Sequence, residues 1–121
     1  MTRGGIPELT IKQLIKDSYR VSESKGWHSI SATIPERLCL IHSEVSEALE
    51  DFRNGRVFNE IYYENPEAKH PKPCGIPVEL ADVVIRVADF CGVYSIDLQE
   101  AIRVKQAYNE TRPQLHGGKR L

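Results

Sequence analysis

Ile76-Pro77-Val78-Glu79-Leu80-Ala81-Asp82-Val83-Val84-Ile85-Arg86-Val87-Ala88-Asp89-Phe90-Cys91 is the stretch whose reading decides the fold. Valine, isoleucine, leucine and alanine fill most of its circumference when it is wound as a helix, the pattern of a helix packed at the centre of a domain. Pro77 belongs in the first turn, where its missing N–H costs nothing, and Gly92 stands just past the expected end. The few charged residues, Glu79, Asp82, Arg86 and Asp89, fall within roughly an 80° arc of that helix. Buried beside so much apolar surface, they need partners.

The segments around this helix must cover it. Upstream, Thr33 and Glu36 form a capping box with Pro35 in the first turn, so a helix starts there. Its apolar stripe is Leu38, Ile41, Val45, Ala48, Leu49 and Phe52, and Asn54-Gly55 ends it. Further upstream, Thr10 with Gln13 is another capping box, and Leu9 with Leu14 has the spacing of a hydrophobic staple. Ile11, Leu14, Ile15, Ser18 and Val21 recur at helical spacing until Lys25-Gly26. Downstream, Asp97 and Glu100 resemble a cap, and a fourth helix runs to Thr111 before Pro113. Between the second and third helices, residues 56–75 carry Tyr62, Tyr63, Pro66, Pro71 and Pro73 with no sustained period, a long loop of the kind that serves as a lid. With no repeat and no alternating strand pattern, residues 1–121 read as one all-α domain of four helices with a basic tail at 113–121.

Composition bounds the function. The chain has 121 residues, 16 basic and 17 acidic, with a net charge of -1, so it lacks the broad basic field of a nucleic-acid-binding protein. No uncharged run approaches the roughly 20 apolar residues a membrane helix needs. Glu8 and Lys12 interrupt the place where a signal peptide has its apolar core, so a cytoplasmic protein is expected. Cys39, Cys74 and Cys91 form no CxxC pair, and Cys39 and Cys91 read as small core residues. The third helix has more apolar surface than three amphipathic neighbours readily cover, which points to a homo-oligomer.

Two pairs of acids carry the chemistry. Glu44 and Glu47 project from one face of the second helix, about 60° apart, and Asp51 extends that face. Glu79 and Asp82 repeat the spacing on the third helix. Either pair alone is more often a solvated helix face than a site. If the two faces meet, four carboxylates converge, and their repulsion calls for a divalent cation. Oxygen ligands without a matching histidine or thiolate favour Mg²⁺ or Mn²⁺ over zinc, and a di-iron bundle needs Glu-x-x-His on two helices, which the expected helices do not carry. A second group, Lys105, Asn109 and Arg112, shares one face of the fourth helix and precedes His116-Gly117-Gly118-Lys119-Arg120. These are phosphate-binding chemistries, although basic residues near a helix end also complement its dipole. Trp27, the single tryptophan, follows a helix stop, where an indole either covers a core edge or stacks on a base; core packing is the expectation from sequence alone. The four histidines show no ligand spacing, and Ser43 and Ser46 have no evident base to activate them.

Glu44-Val45-Ser46-Glu47, Glu79-Leu80-Ala81-Asp82 and the segment from Lys105 to Lys119 resemble, over nearly the whole chain, the MazG-like nucleoside triphosphate pyrophosphohydrolases. The resemblance implies a four-helix bundle-like domain assembled as a homodimer or dimer-based tetramer. It implies Mg²⁺-dependent cleavage of a nucleoside triphosphate between its α and β phosphates, in the service of nucleotide-pool cleaning. Glu44, Glu47, Glu79 and Asp82 would be the metal ligands, with Glu44 or Glu47 as proton acceptor. Lys105 and Asn109 would help hold phosphates and metal, Arg112 and Lys119 would contact phosphate, and Trp27 would lie beside the base. The non-enzymatic alternative is a helical interaction module whose acidic faces pair with Lys and Arg of a partner chain.

Overall fold

The computed structural model describes residues 2–3 and 6–113. Four helices dominate it: α1 (Ile11–Ser24), α2 (Ile34–Arg53), α3 (Ile76–Val93) and α4 (Leu98–Thr111). The all-α reading holds, with α3 at the centre, packed against both α1 and α2, while α4 lies against α1. No helix among the described residues is long and apolar enough to cross a membrane.

Local chemistry sets the helix starts as expected. Thr33 and Glu36 close a full capping box, and Asp97 accepts from the Glu100 N–H at 3.0 Å. At α1 the box is half formed: Thr10 Oγ1 accepts from the Gln13 N–H at 3.1 Å, but the Gln13 amide donates forward to Asp17 at 2.9 Å. Leu9, the expected staple, remains exposed. The stripe that α1 buries also continues through Ser22 instead of Val21, and Ser18 and Ser22 are its two buried residues.

Helix α3 overruns its expected stop. Gly92 lies inside it, and a Cβ there would stand 3.0 Å from the Tyr19 ring, so the glycine allows close packing on α1 and does not end the helix. The chain leaves α3 at Tyr94, and Ser95 takes a positive φ of 54°.

Strands are the second departure. Thr2–Arg3 (β1) pairs antiparallel with Ile6–Pro7 (β2), and within residues 56–75 Tyr62–Glu64 (β3) pairs antiparallel with Lys72–Cys74 (β4), Tyr62 opposite Cys74. Three-residue strands, one containing Pro73, are too short to print an alternation on the sequence. The β3–β4 hairpin is tied down. The Tyr62 hydroxyl donates to Asp51 at 3.3 Å, and the Arg56 guanidinium lies 3.6 Å from the Tyr62 ring centre. At its base, Gly75 takes φ +123°, and a Cβ there would collide with the Glu60 carbonyl oxygen, a backbone approach only glycine permits.

The interior of the single chain is thin. Among the described residues the buried apolar ones are all small, Ala48, Cys74, Ala88 and Cys91. Cys91 is in the core as expected, but Cys39 is exposed, because it lies on a side of α2 that no described element covers. Leu80 and Val84 of α3 are each half exposed, as the apolar excess of that helix foretells.

Candidate metal centre and adjoining cavity

Helix α2 turns its acidic side, not its leucine stripe, toward α3. Glu44 is 6% exposed and Ala48 7%, and both sit on the α2 face that meets α3. From α3, Glu79 and Asp82 come to the same place, so that one carboxylate oxygen from each of Glu44, Glu79 and Asp82 lies within 4.8 Å of the others. Glu47, exposed one turn along α2, joins the group through a hydrogen bond with Glu79. The two pairs of acids separated by the long loop are therefore brought together.

The electrostatic consequences follow from proximity. Burial, then the hydrogen bond and charge of Glu47, then the charges of Asp82 and Glu44, push the Glu79 carboxyl up to about 7. Burial and the charge of Glu44 likewise raise Asp82, against a partial offset from Arg86 and from Lys72 on β4. Among the described residues, Arg86 is the one cation bonded into the group: its Nε donates to Glu44 Oε1 at 2.5 Å. The second oxygen, Glu44 Oε2, is buried and has no partner. A buried carboxylate oxygen without a donor is expensive, and a cation among these oxygens would satisfy it. The donor set is all carboxylate, the chemistry of Mg²⁺ or Mn²⁺, so the residues present fit such an ion.

Beside the acids opens a cavity of about 600 Å³, the size of a small-molecule site. Glu44, Asp82 and Arg86 form its acidic end, Leu40, Ile85 and Phe90 its apolar wall, and Trp27 lines it as well. Trp27 is 55% exposed, so the expectation of core packing fails: the indole belongs to a short 3-10 turn, Trp27–Ser29, too brief to bury it between helices. Arg37 of α2 also lines the cavity, and its buried Nε has no partner.

The basic set of α4 stands elsewhere. Lys105, Asn109 and Arg112 are exposed and none lines the cavity; the cations of Lys105 and Arg112 lie 5.1 Å and 5.9 Å from the Tyr108 ring centre. Lys119 lies outside the described residues, as does the rest of the tail from 114. The sequence places Arg86 and Asp89 on the acidic stripe without giving them a role, sets His28 aside with the other histidines as showing no ligand spacing, and gives Arg37 no role. Arg86 had a legible signal, a lone cation within an acidic arc of an apolar helix. Arg37 had none. No protein-family model matches this chain, no curated protein sequence matches it, and no solved structure matches it.

Proposed function

We propose that the chain is a Mg²⁺-dependent nucleoside triphosphate pyrophosphohydrolase, releasing nucleoside monophosphate and pyrophosphate, with nucleotide-pool cleaning as its role. The observation that carries this reading is Glu44: a carboxylate 6% exposed, one oxygen on Arg86 and the other unpartnered, set among Glu79 and Asp82 at the end of a cavity. Such an arrangement is costly unless a cation completes it.

Glu44, Glu47, Glu79 and Asp82 would hold the ion. When bound, Mg²⁺ supplies charge stabilisation to the phosphate oxygens and makes water a better nucleophile at neutral pH. Glu44 is committed to Arg86, so Glu47, exposed and without a cationic partner among the described residues, is the better proton acceptor of the two. In the metal-free protein Glu79, with its carboxyl raised to about 7, shares a proton with Glu47 through their hydrogen bond, and a bound cation would displace that proton. Arg86 keeps Glu44 oriented. The apolar wall and Trp27 give a planar base a surface to lie on.

The reading extends to assembly as a homodimer or dimer-based tetramer. Half-exposed Leu80 and Val84 on α3, with exposed Val45, Leu49 and Phe52 on α2, leave apolar surface that a second copy can cover. Lys105, Asn109 and Arg112, exposed and outside the cavity lining of their own chain, would then be free to act at a site completed by that copy.

The test is direct. The purified protein is incubated with canonical and modified nucleoside triphosphates plus Mg²⁺ and the products are separated. Monophosphate with pyrophosphate is expected; diphosphate with inorganic phosphate, or no turnover across the panel, overturns the assignment.

A further inference from the structure

The 3-10 turn Trp27–Ser29 joins α1 to α2 and carries the indole that lines the cavity. Its own hydrogen bonds are internal: Ser29 returns both its N–H and its hydroxyl to the Gly26 carbonyl. Among the described residues, the side-chain hydrogen bond that ties this turn to α3 is made by His28. The ring is 13% exposed and lies 4.6 Å, centre to centre, from the Tyr19 ring of α1.

Both of its nitrogens are engaged. Nδ1 lies 2.7 Å from Glu23 Oε2 on α1, and Nε2 lies 2.9 Å from Asp89 Oδ1 on α3. An ionised carboxylate only accepts, so both nitrogens must donate, and a neutral imidazole has a single N–H. The geometry is satisfied by the imidazolium. Loss of the proton leaves one nitrogen with its lone pair facing a carboxylate oxygen, and one of the two ties breaks. Asp89 itself lines the cavity, so the tie joins the turn to a cavity wall that comes from α3.

We propose that His28 is a positioning residue: as an imidazolium bridging Glu23 of α1 and Asp89 of α3 it clamps the turn so that Trp27 lines the cavity, and its deprotonation, which leaves one tie of the two, loosens that clamp. The charged groups around it are few. Glu23 comes from α1 and Asp89 from α3; from the same cavity wall, Arg37 of α2 is unpaired at Nε and Arg86 of α3 is paired with Glu44. Burial of the ring works against its charge, but the hydrogen bonds and charges of Asp89 and Glu23 outweigh it and hold His28 above its ordinary 6.5. The clamp is therefore closed at and below pH 6.5 and opens as pH rises through that elevated value. Any effect on substrate affinity rests on the nucleotide reading proposed above; the clamp does not.

Trp27 is the only tryptophan in the chain, so its fluorescence reports the turn without a label. The experiment follows emission of the metal-free, nucleotide-free protein from about pH 5.5 to 9, with circular dichroism confirming that it stays folded. The wild type should show a transition centred above 6.5 that depends on His28, with emission moving to longer wavelength as the indole gains water. His28→Gln should lose that transition. Asp89→Asn is the second variant: a neutral His28 can donate to Glu23 and accept from the amide that this substitution introduces, so the emission should stay at its low-pH wavelength across the range. A wild-type emission that does not change with pH, or the same transition in His28→Gln or Asp89→Asn, overturns the clamp. With a turned-over nucleoside triphosphate, KM should rise at least about fivefold across the transition, the size of a lost stacking contact, with kcat little changed. A protein that shows the fluorescence transition but hydrolyses nothing keeps the clamp and loses the nucleotide reading; a flat emission with normal hydrolysis does the reverse.

Discussion

Helix α2 carries two stripes roughly 110° apart around its axis, and they meet opposite fates. The acidic one, Glu44 with Ala48 beside it, is buried against α3, while Val45, Leu49 and Phe52 on the other are 51%, 58% and 64% exposed. Ordinary amphipathic packing puts the apolar stripe inside and the carboxylates in water. On the reading proposed above, a helix arranged the other way has two faces to complete, the inner one by a cation and the outer one by a second copy of the chain. The inversion therefore ties the proposed metal centre and the proposed assembly to one feature of the fold. Each can be broken separately.

The largest expected effect is on the inner face. Glu47→Gln and Asp82→Asn should each lower the rate of triphosphate hydrolysis at least about 100-fold, because charge stabilisation by a held metal is worth several kcal/mol. Steady-state assays with Mg²⁺ read this directly. Near-normal turnover in both variants would move the chemistry away from the acids and leave the buried Glu44 without a catalytic explanation.

On the outer face, Leu49→Glu should weaken self-association at least about tenfold, since burying a leucine contributes roughly 1.5–3 kcal/mol. Sedimentation of the wild type should show a species larger than the 13.7 kDa chain, with a melting temperature that rises with protein concentration. A well-folded wild-type monomer, or a Leu49→Glu protein that assembles as the wild type does, removes the outer half of the comparison.

What was legible in the sequence divides along the same line. Helix starts are local chemistry, so Thr10, Thr33 and Asp97 announced α1, α2 and α4 through side chains that satisfy N–H groups three residues away. Spacing alone also paired Glu44 with Glu47 and Glu79 with Asp82. Periodicity finds a face but not what lies against it, so of the stripe expected to be core on α2 only Ala48 is buried and Ile41 half-buried, while Leu38, Val45, Leu49 and Phe52 are exposed. Gly92 looked like a helix stop because its reason for being small, the Tyr19 ring, lies on another helix. Arg37 and the tie from His28 to Asp89, 61 residues apart, had no local signature at all. The β3–β4 hairpin was hidden by strands too short to alternate.

The smallest expected effect is thermodynamic, and it reads the inner face without any substrate. A carboxyl raised on folding binds its proton more tightly in the native protein than in the unfolded chain, so its ionisation destabilises the fold. Glu79 rises from 4.5 to about 7, so the metal-free protein should lose stability as pH increases through that window. His28, also raised on folding, contributes stability that is fully present below 6.5 and is lost at higher pH as its proton leaves. Glu79→Gln should reduce the slope in the lower window, leaving the part that the raised Asp82 contributes, and spare the upper one, which separates Glu79 from His28. Mg²⁺ should reverse the loss by mass action: at a hundred times its dissociation constant it contributes about 2.7 kcal/mol, a rise in melting temperature on the order of 10 °C for a domain this size. Asp82→Asn should blunt that rise and, by removing one repelling charge, raise the melting temperature of the metal-free protein. Thermal melts across pH, with and without Mg²⁺, check all three expectations. A wild-type curve indifferent to millimolar Mg²⁺ would make the buried acids of α2 and α3 a packing feature and not a metal centre, and a Glu79→Gln protein that keeps the full slope between 4.5 and about 7 would take the pH dependence away from Glu79.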